Sequence, residues 1–164
     1  MNTTESTTDL GTFECVSGRL RVTDPCYDRG TWCAGVIEDC RTGQWQSTIE
    51  RQHFGSWGNR IVRLTVNHVD GGNGPEETAD FEVGVDSGQA GVFDDRFYSG
   101  DSDSDDGFYD ECCRLTLSKK GAGVLAHGAV STSGLGDGGY EAYFNRDANG
   151  KCYSISIVFI GDDE

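Results

Sequence analysis

From residue 11 onward the chain is a series of short, mostly apolar runs interrupted by glycine- or acid-rich turns, which points to a β-dominated domain. An amphipathic helix needs an apolar stripe of 3.6-residue period sustained over several turns, and only one segment offers it. The 24 glycines set against 2 prolines indicate many tight turns. At 164 residues the chain is one domain, long enough to bury a core without staples. The expected architecture is mainly β, a sandwich or partly open barrel with one short helix near 108–117. Residues 1–10 are expected to be a mobile polar tail, and 11–164 a single domain.

Read in order, Phe13–Val16 and Leu20–Val22 suggest a first strand pair broken at Ser17-Gly18, and 31–37 with 44–49 suggest a hairpin across 39–43. Residues 60–68 carry the clearest alternation, with Val62, Leu64 and Val66 on one face and Arg63, Thr65 and Asn67 on the other. Phe81, Val83 and Val85 share a face of a further strand. The helix starts at the Asp105-Asp106-Gly107 cluster. Residues 123–130 return to strand. A closing hairpin joins 140–146 to 152–160 through Asp147-Ala-Asn-Gly150, whose Asn-Gly pair suits a tight turn.

Thirteen basic residues face 28 acids, 18 of them aspartates, for a net charge of −15. Such a surface repels nucleic-acid phosphates and anionic membranes, so no direct grip on a phosphate backbone is expected. A mimic of DNA would need its acids aligned along long surface elements, whereas these are scattered through loops. No run reaches the length of a membrane span, and the first residues lack the basic and apolar parts of an export signal, so a cytoplasmic location is expected. The seven cysteines, an odd number, are read as reduced thiols. Cys26, Cys33 and Cys40 recur every seven residues, but zinc sites usually offer a pair of ligands two to four residues apart. Buried structural thiols are the preferred reading over zinc.

Three loops hold the candidate chemistry: Asp24-Pro-Cys-Tyr27, Asp86-Ser-Gly-Gln-Ala-Gly91 and Ser131–Tyr140. Each joins apolar runs and carries an acid in a turn too specialised for a generic connection. They are expected to meet at one end of the scaffold, forming a ligand site from Asp24, Tyr27, Asp86, Ser87, Gln89, Ser133, Asp137 and Tyr140. The competing reading is that the aspartates cap their own turns and bind nothing. Gly134-Leu-Gly136-Asp-Gly138-Gly139 has dinucleotide-binding spacing, but a strand rather than a helix follows it, which rejects that reading.

Asp101, Asp103 and Asp105 alternate as in a calcium loop, although Asp106 stands where an EF-hand requires glycine and Cys112 where it requires glutamate. Calcium and a simple solvated acidic loop are the two readings. His53, His68 and His127 form no His-x-x-x-His pair, and no Gly-x-Ser-x-Gly elbow exists. Trp32, Trp45 and Trp57 are candidates either for a stacking pocket or, more commonly, for packing.

At Asp24-Pro-Cys-Tyr27, Val85–Gly91, Phe108–Cys113 and Ser133–Tyr140 the chain resembles a bacterial and phage family, domain of unknown function 4241, from about residue 20 to 160. The resemblance implies an independent β-rich domain and no particular activity. The expected function is a non-catalytic binding protein in phage–host or toxin–immunity conflict, blocking a protein partner or sequestering a small molecule. The alternative is a hydrolase using clustered aspartates, with or without a divalent metal.

Overall fold

A computed structural model describes residues 5–161. Eleven strands and one helix follow in chain order: β1 (Glu5–Cys15), β2 (Leu20–Thr23), β3 (Gly35–Ile37), β4 (Gly43–His53), β5 (Asn59–His68), β6 (Glu76–Val85), β7 (Gln89–Asp94), α1 (Phe108–Thr116), β8 (Ala122–Leu125), β9 (Gly128–Thr132), β10 (Gly138–Arg146) and β11 (Cys152–Val158). They form a six-stranded sheet in the order β1-β4-β5-β11-β10-β6 and a five-stranded sheet in the order β3-β2-β7-β9-β8. The pairings within both sheets are antiparallel and neither sheet closes on itself, so the fold is a β-sandwich with one short helix.

Alternation along the strands builds the core, because successive side chains point to opposite faces. In β5, Val62, Leu64 and Val66 are buried while Arg63, Thr65 and Asn67 are not. Across from them Ile155 and Ile157 of β11 and Trp45 and Ile49 of β4 complete the inner face of the larger sheet. Leu20, Val22, Ala90, Val92 and Ala129 supply the smaller sheet's contribution to the same cluster. A satellite cluster of Phe93, Tyr98, Cys112, Leu125 and Val130 seats α1.

Several local pairings differ from those expected. The segment from Glu5 is strand rather than mobile tail, paired with β4 from Glu5–Gln52 onward; residues 1–4 lie outside the described residues. β1 and β2 do not pair: they lie in opposite sheets, as do β3 and β4, so the turns between them are crossings. Residues 122–132 form two strands, β8 and β9, folded back on each other at Ala126-His127. His127 therefore lies in a turn and not in a strand, stacked on Phe97 at 3.9 Å. His68 is buried, edge-on to Trp45. The β10–β11 hairpin forms as expected, with Gly150 at φ 80°.

Two fully buried aspartates bracket the β2–β7 pair. Asp94, at the end of β7, accepts hydrogen bonds from the Val16 amide (2.6 Å), the Ser17 amide (3.1 Å) and hydroxyl (2.5 Å), and the Arg96 amide (3.0 Å). Burial acts to raise its pKa, but these donors outweigh burial and hold the carboxyl below its ordinary value. Because β2 and β7 run antiparallel, Asp24 follows β2 at the opposite end of the sandwich, where the candidate site lies.

Candidate binding site

The loops after β6 and β9 both cross between the sheets, and they cross at the same end, where the Ser133 amide donates to the Gly88 carbonyl at 3.0 Å. The loop after β2 is tied to the first of them by Asp24. Its Oδ2 accepts the amides of Asp86 and Ser87, each at 2.8 Å. Its Oδ1 accepts the Ser87 hydroxyl at 2.6 Å and the Cys26 amide at 2.8 Å. Two donors on each oxygen satisfy this buried carboxylate, leaving it as a clamp and not as a base or a metal ligand. The same carboxylate affects Cys26: burial first, then the adjacent Asp24 charge, pushes that thiol up to about 12.

What the clamp positions is an open groove of about 510 Å³. Tyr27, Trp32, Glu82, Asp86 and Asp137 line it, together with the glycines 84, 138 and 139. The Tyr27 hydroxyl donates to Asp86 Oδ2 at 2.8 Å. Burial, and then that carboxylate, hold the phenol protonated well above its usual range. Trp32 is 85% exposed, an unusual cost for so large an apolar side chain. Gly84 is required here, because a Cβ would stand 2.6 Å from Cys33 Sγ; its amide donates to the Cys33 carbonyl at 2.8 Å and draws β3 against β6.

The remaining expected site residues are supports, buried except for half-buried Ser87. Ser133 and Tyr140 both donate through their hydroxyls to the Gly136 carbonyl, at 2.7 and 2.6 Å, pinning the tip of the glycine-rich loop. Tyr140 packs edge-on against Phe159. Gln89 points toward α1, where its amide donates to Cys113 Sγ at 3.4 Å and its oxygen accepts from Thr116 at 3.3 Å. Ser87 serves Asp24. Of the eight residues, Tyr27, Asp86 and Asp137 face the groove, and Asp24, Ser87, Gln89, Ser133 and Tyr140 hold the loops that shape it. The alternation of β6 could have marked Glu82, whose neighbours Phe81 and Val83 alternate in the sequence. Nothing local distinguishes Trp32 from a core tryptophan such as Trp45, which is fully buried.

Chemically, the groove offers two aromatic rings and three carboxylates with no basic side chain among its lining residues. That combination attracts a cation through charge and through the ring faces. Of the two readings of Asp101, Asp103 and Asp105, calcium finds no support: among the described residues no group of three or more His, Cys, Asp or Glu side chains is placed to hold a metal. The loop instead turns on itself, Asp101 accepting the Asp103 amide at 2.8 Å and Asp106 accepting the Phe108 amide at 3.1 Å ahead of α1. The same finding applies to Cys26, Cys33 and Cys40 as a zinc set. All seven cysteines are unpaired thiols. No helix is long and apolar enough to cross a membrane among the described residues.

Compared with known proteins, the chain matches no protein family, no curated protein and no solved structure.

Proposed function

We propose that this is a non-catalytic binding protein whose groove takes a cationic group, the guanidinium or ammonium of a basic side chain presented by a protein partner. The single observation that carries the reading is the groove's lining: exposed Trp32 and half-buried Tyr27 beside Glu82, Asp86 and Asp137. Aromatic side chains at the centre of a contact and acids around them are the usual means of anchoring a basic residue. The net charge of −15 adds long-range attraction for a basic partner. Asp24, with both oxygens filled, lends no support to acid–base hydrolysis. A role in phage–host or toxin–immunity conflict follows only from the resemblance to domain of unknown function 4241.

Intrinsic fluorescence tests the reading. In a Trp57→Phe background, titration with a tetra-arginine peptide at an ionic strength of about 0.15 M should give a saturable change from Trp32, and tetra-glutamate should give none. A linear, unsaturable response to both peptides would contradict it.

A further inference from the structure

The glycine-rich loop has a second side. Its residues Ser133–Gly136, together with Gly88, line a separate cavity of about 580 Å³ whose charged side chains are Arg51, Arg60, Lys119 and Lys120. No acid lines it. In a chain of 28 acids and 13 basic residues, this gathers four basic residues, including two of the three lysines, in one concavity. We propose that this cavity is an anion site for a small molecule carrying dense phosphate charge, a diphosphate or its equivalent.

Pairing sets these four residues apart from most others of their kind. Arg19, Arg21, Arg29, Arg41, Arg63 and Arg114 each reach a carboxylate. Among the described residues, Arg51, Arg60, Lys119 and Lys120 form no such ion pair. The two guanidinium groups are instead oriented by neutral acceptors. Arg60 donates from Nε to the Trp57 carbonyl at 3.0 Å and from Nη1 to the Gly134 carbonyl at 3.1 Å. Arg51 donates to the Lys120 carbonyl and, at 3.3 Å, to the Thr8 hydroxyl. Acceptors of this kind fix a fork without cancelling its charge, which is the state suited to an incoming oxyanion. The strands enforce the proximity, since Arg51 pairs with Ile61 and Gln52 with Arg60 across β4 and β5.

The loop backbone suits close approach. Gly88 and Gly136 hold φ of 73° and 94°, and a Cβ at either would meet nothing within 4 Å, so their bare backbone faces open space. The volume lies within the range of about 300–1,000 Å³ usual for small-molecule sites. The apolar side chains in the lining are Ile61 and Leu135, with no aromatic ring on which a base would stack, so the charged group is what the site recognises. A pocket also differs from the extended basic stripe that a nucleic-acid backbone requires. With the rest of the surface acidic, an anion is held only where local cations outweigh the screened global field.

Calorimetric titration with inorganic pyrophosphate, at an ionic strength of about 0.15 M, tests the proposal. Saturable binding at one site is expected. Arg60→Gln and the double variant Lys119→Gln/Lys120→Gln should each weaken it by about tenfold or more, while Arg114→Gln, an exposed arginine on α1, should change it less than about twofold. The lysine variant alters only exposed side chains and keeps the test valid should Arg60→Gln disturb the loop. Absence of binding at millimolar pyrophosphate, equal weakening by Arg114→Gln, or equal affinity for citrate would overturn the phosphate site. None of these variants touches the groove of Tyr27 and Asp137, so this proposal and the cation-binding one fail separately.

Discussion

The buried carboxylate of Asp24 accepts the backbone amide of Asp86 at 2.8 Å, so one acid, itself hidden from solvent, sets the position of another that is exposed. The relationship separates scaffold from contact surface within a set of residues that look alike in sequence. Asp24→Asn replaces an acceptor-only group with one that aims donors at donors. A loss of about 3 kcal/mol is expected, a fall in Tm of roughly 9 °C for a chain of this length. Thermal denaturation monitored by circular dichroism checks it; an unchanged Tm would mean that the clamp is dispensable.

Asp94 predicts the acid limb of stability. Its folded-state pKa is lowered, so its contribution is fully present above the ordinary carboxyl value of 3.8 and is lost as pH falls through the folded value. Stability should therefore decline with acidification in that window. In Asp94→Asn the protein should be less stable at neutral pH and its stability should depend less on pH below 4. Urea midpoints measured across that range decide it: parallel acid limbs in the two proteins would assign the effect to other groups.

Ser47, on the inner face of β4, is fully buried, and its hydroxyl finds no hydrogen-bond partner among the described residues. An unpaired buried hydroxyl costs about 1–3 kcal/mol of desolvation, so Ser47→Ala should leave Tm unchanged or raise it. A clear fall in Tm would show that the hydroxyl is satisfied in solution.

How much of this was legible in the sequence depended on range. The strand through Val62, Leu64 and Val66 and the hairpin at Asn149-Gly150 are governed by neighbours in the chain, and both were readable there. The crossing at Ser17-Gly18 was not, because what holds it is Asp94, 77 and 78 residues away. Phe13 and Leu20, close in sequence, thus belong to facing sheets. His127 was hidden as a turn because apolar residues on both sides continue the strand pattern through it. The glycine-rich loops stood out through their composition. The division of Asp24, Asp86 and Asp137 into clamp and lining was invisible, since it rests on which carboxylate is buried. The four-cation cavity has no signature in the sequence because Arg51, Arg60 and Lys119-Lys120 come from separate segments that only the sandwich brings together.

The acidic loop gives a simple metal test. With Asp101 and Asp106 already accepting amides of their own loop, and no three-ligand group formed, calcium should leave Tm where chelator leaves it. A calcium-dependent rise abolished by Asp103→Ala would show that the loop closes around the ion.

The proposed cation-binding groove is tested most directly by the affinity of a tetra-arginine peptide for Asp137→Asn, measured beside Asp103→Asn, which makes the same charge change at an acid outside the groove's lining. Asp137 is exposed and lines the groove without clamping a loop. Asp137→Asn should weaken binding by about tenfold while Tm stays within about 1 °C, and Asp103→Asn should leave both nearly unchanged. Equal weakening in the two variants would reduce the interaction to net charge and contradict the account.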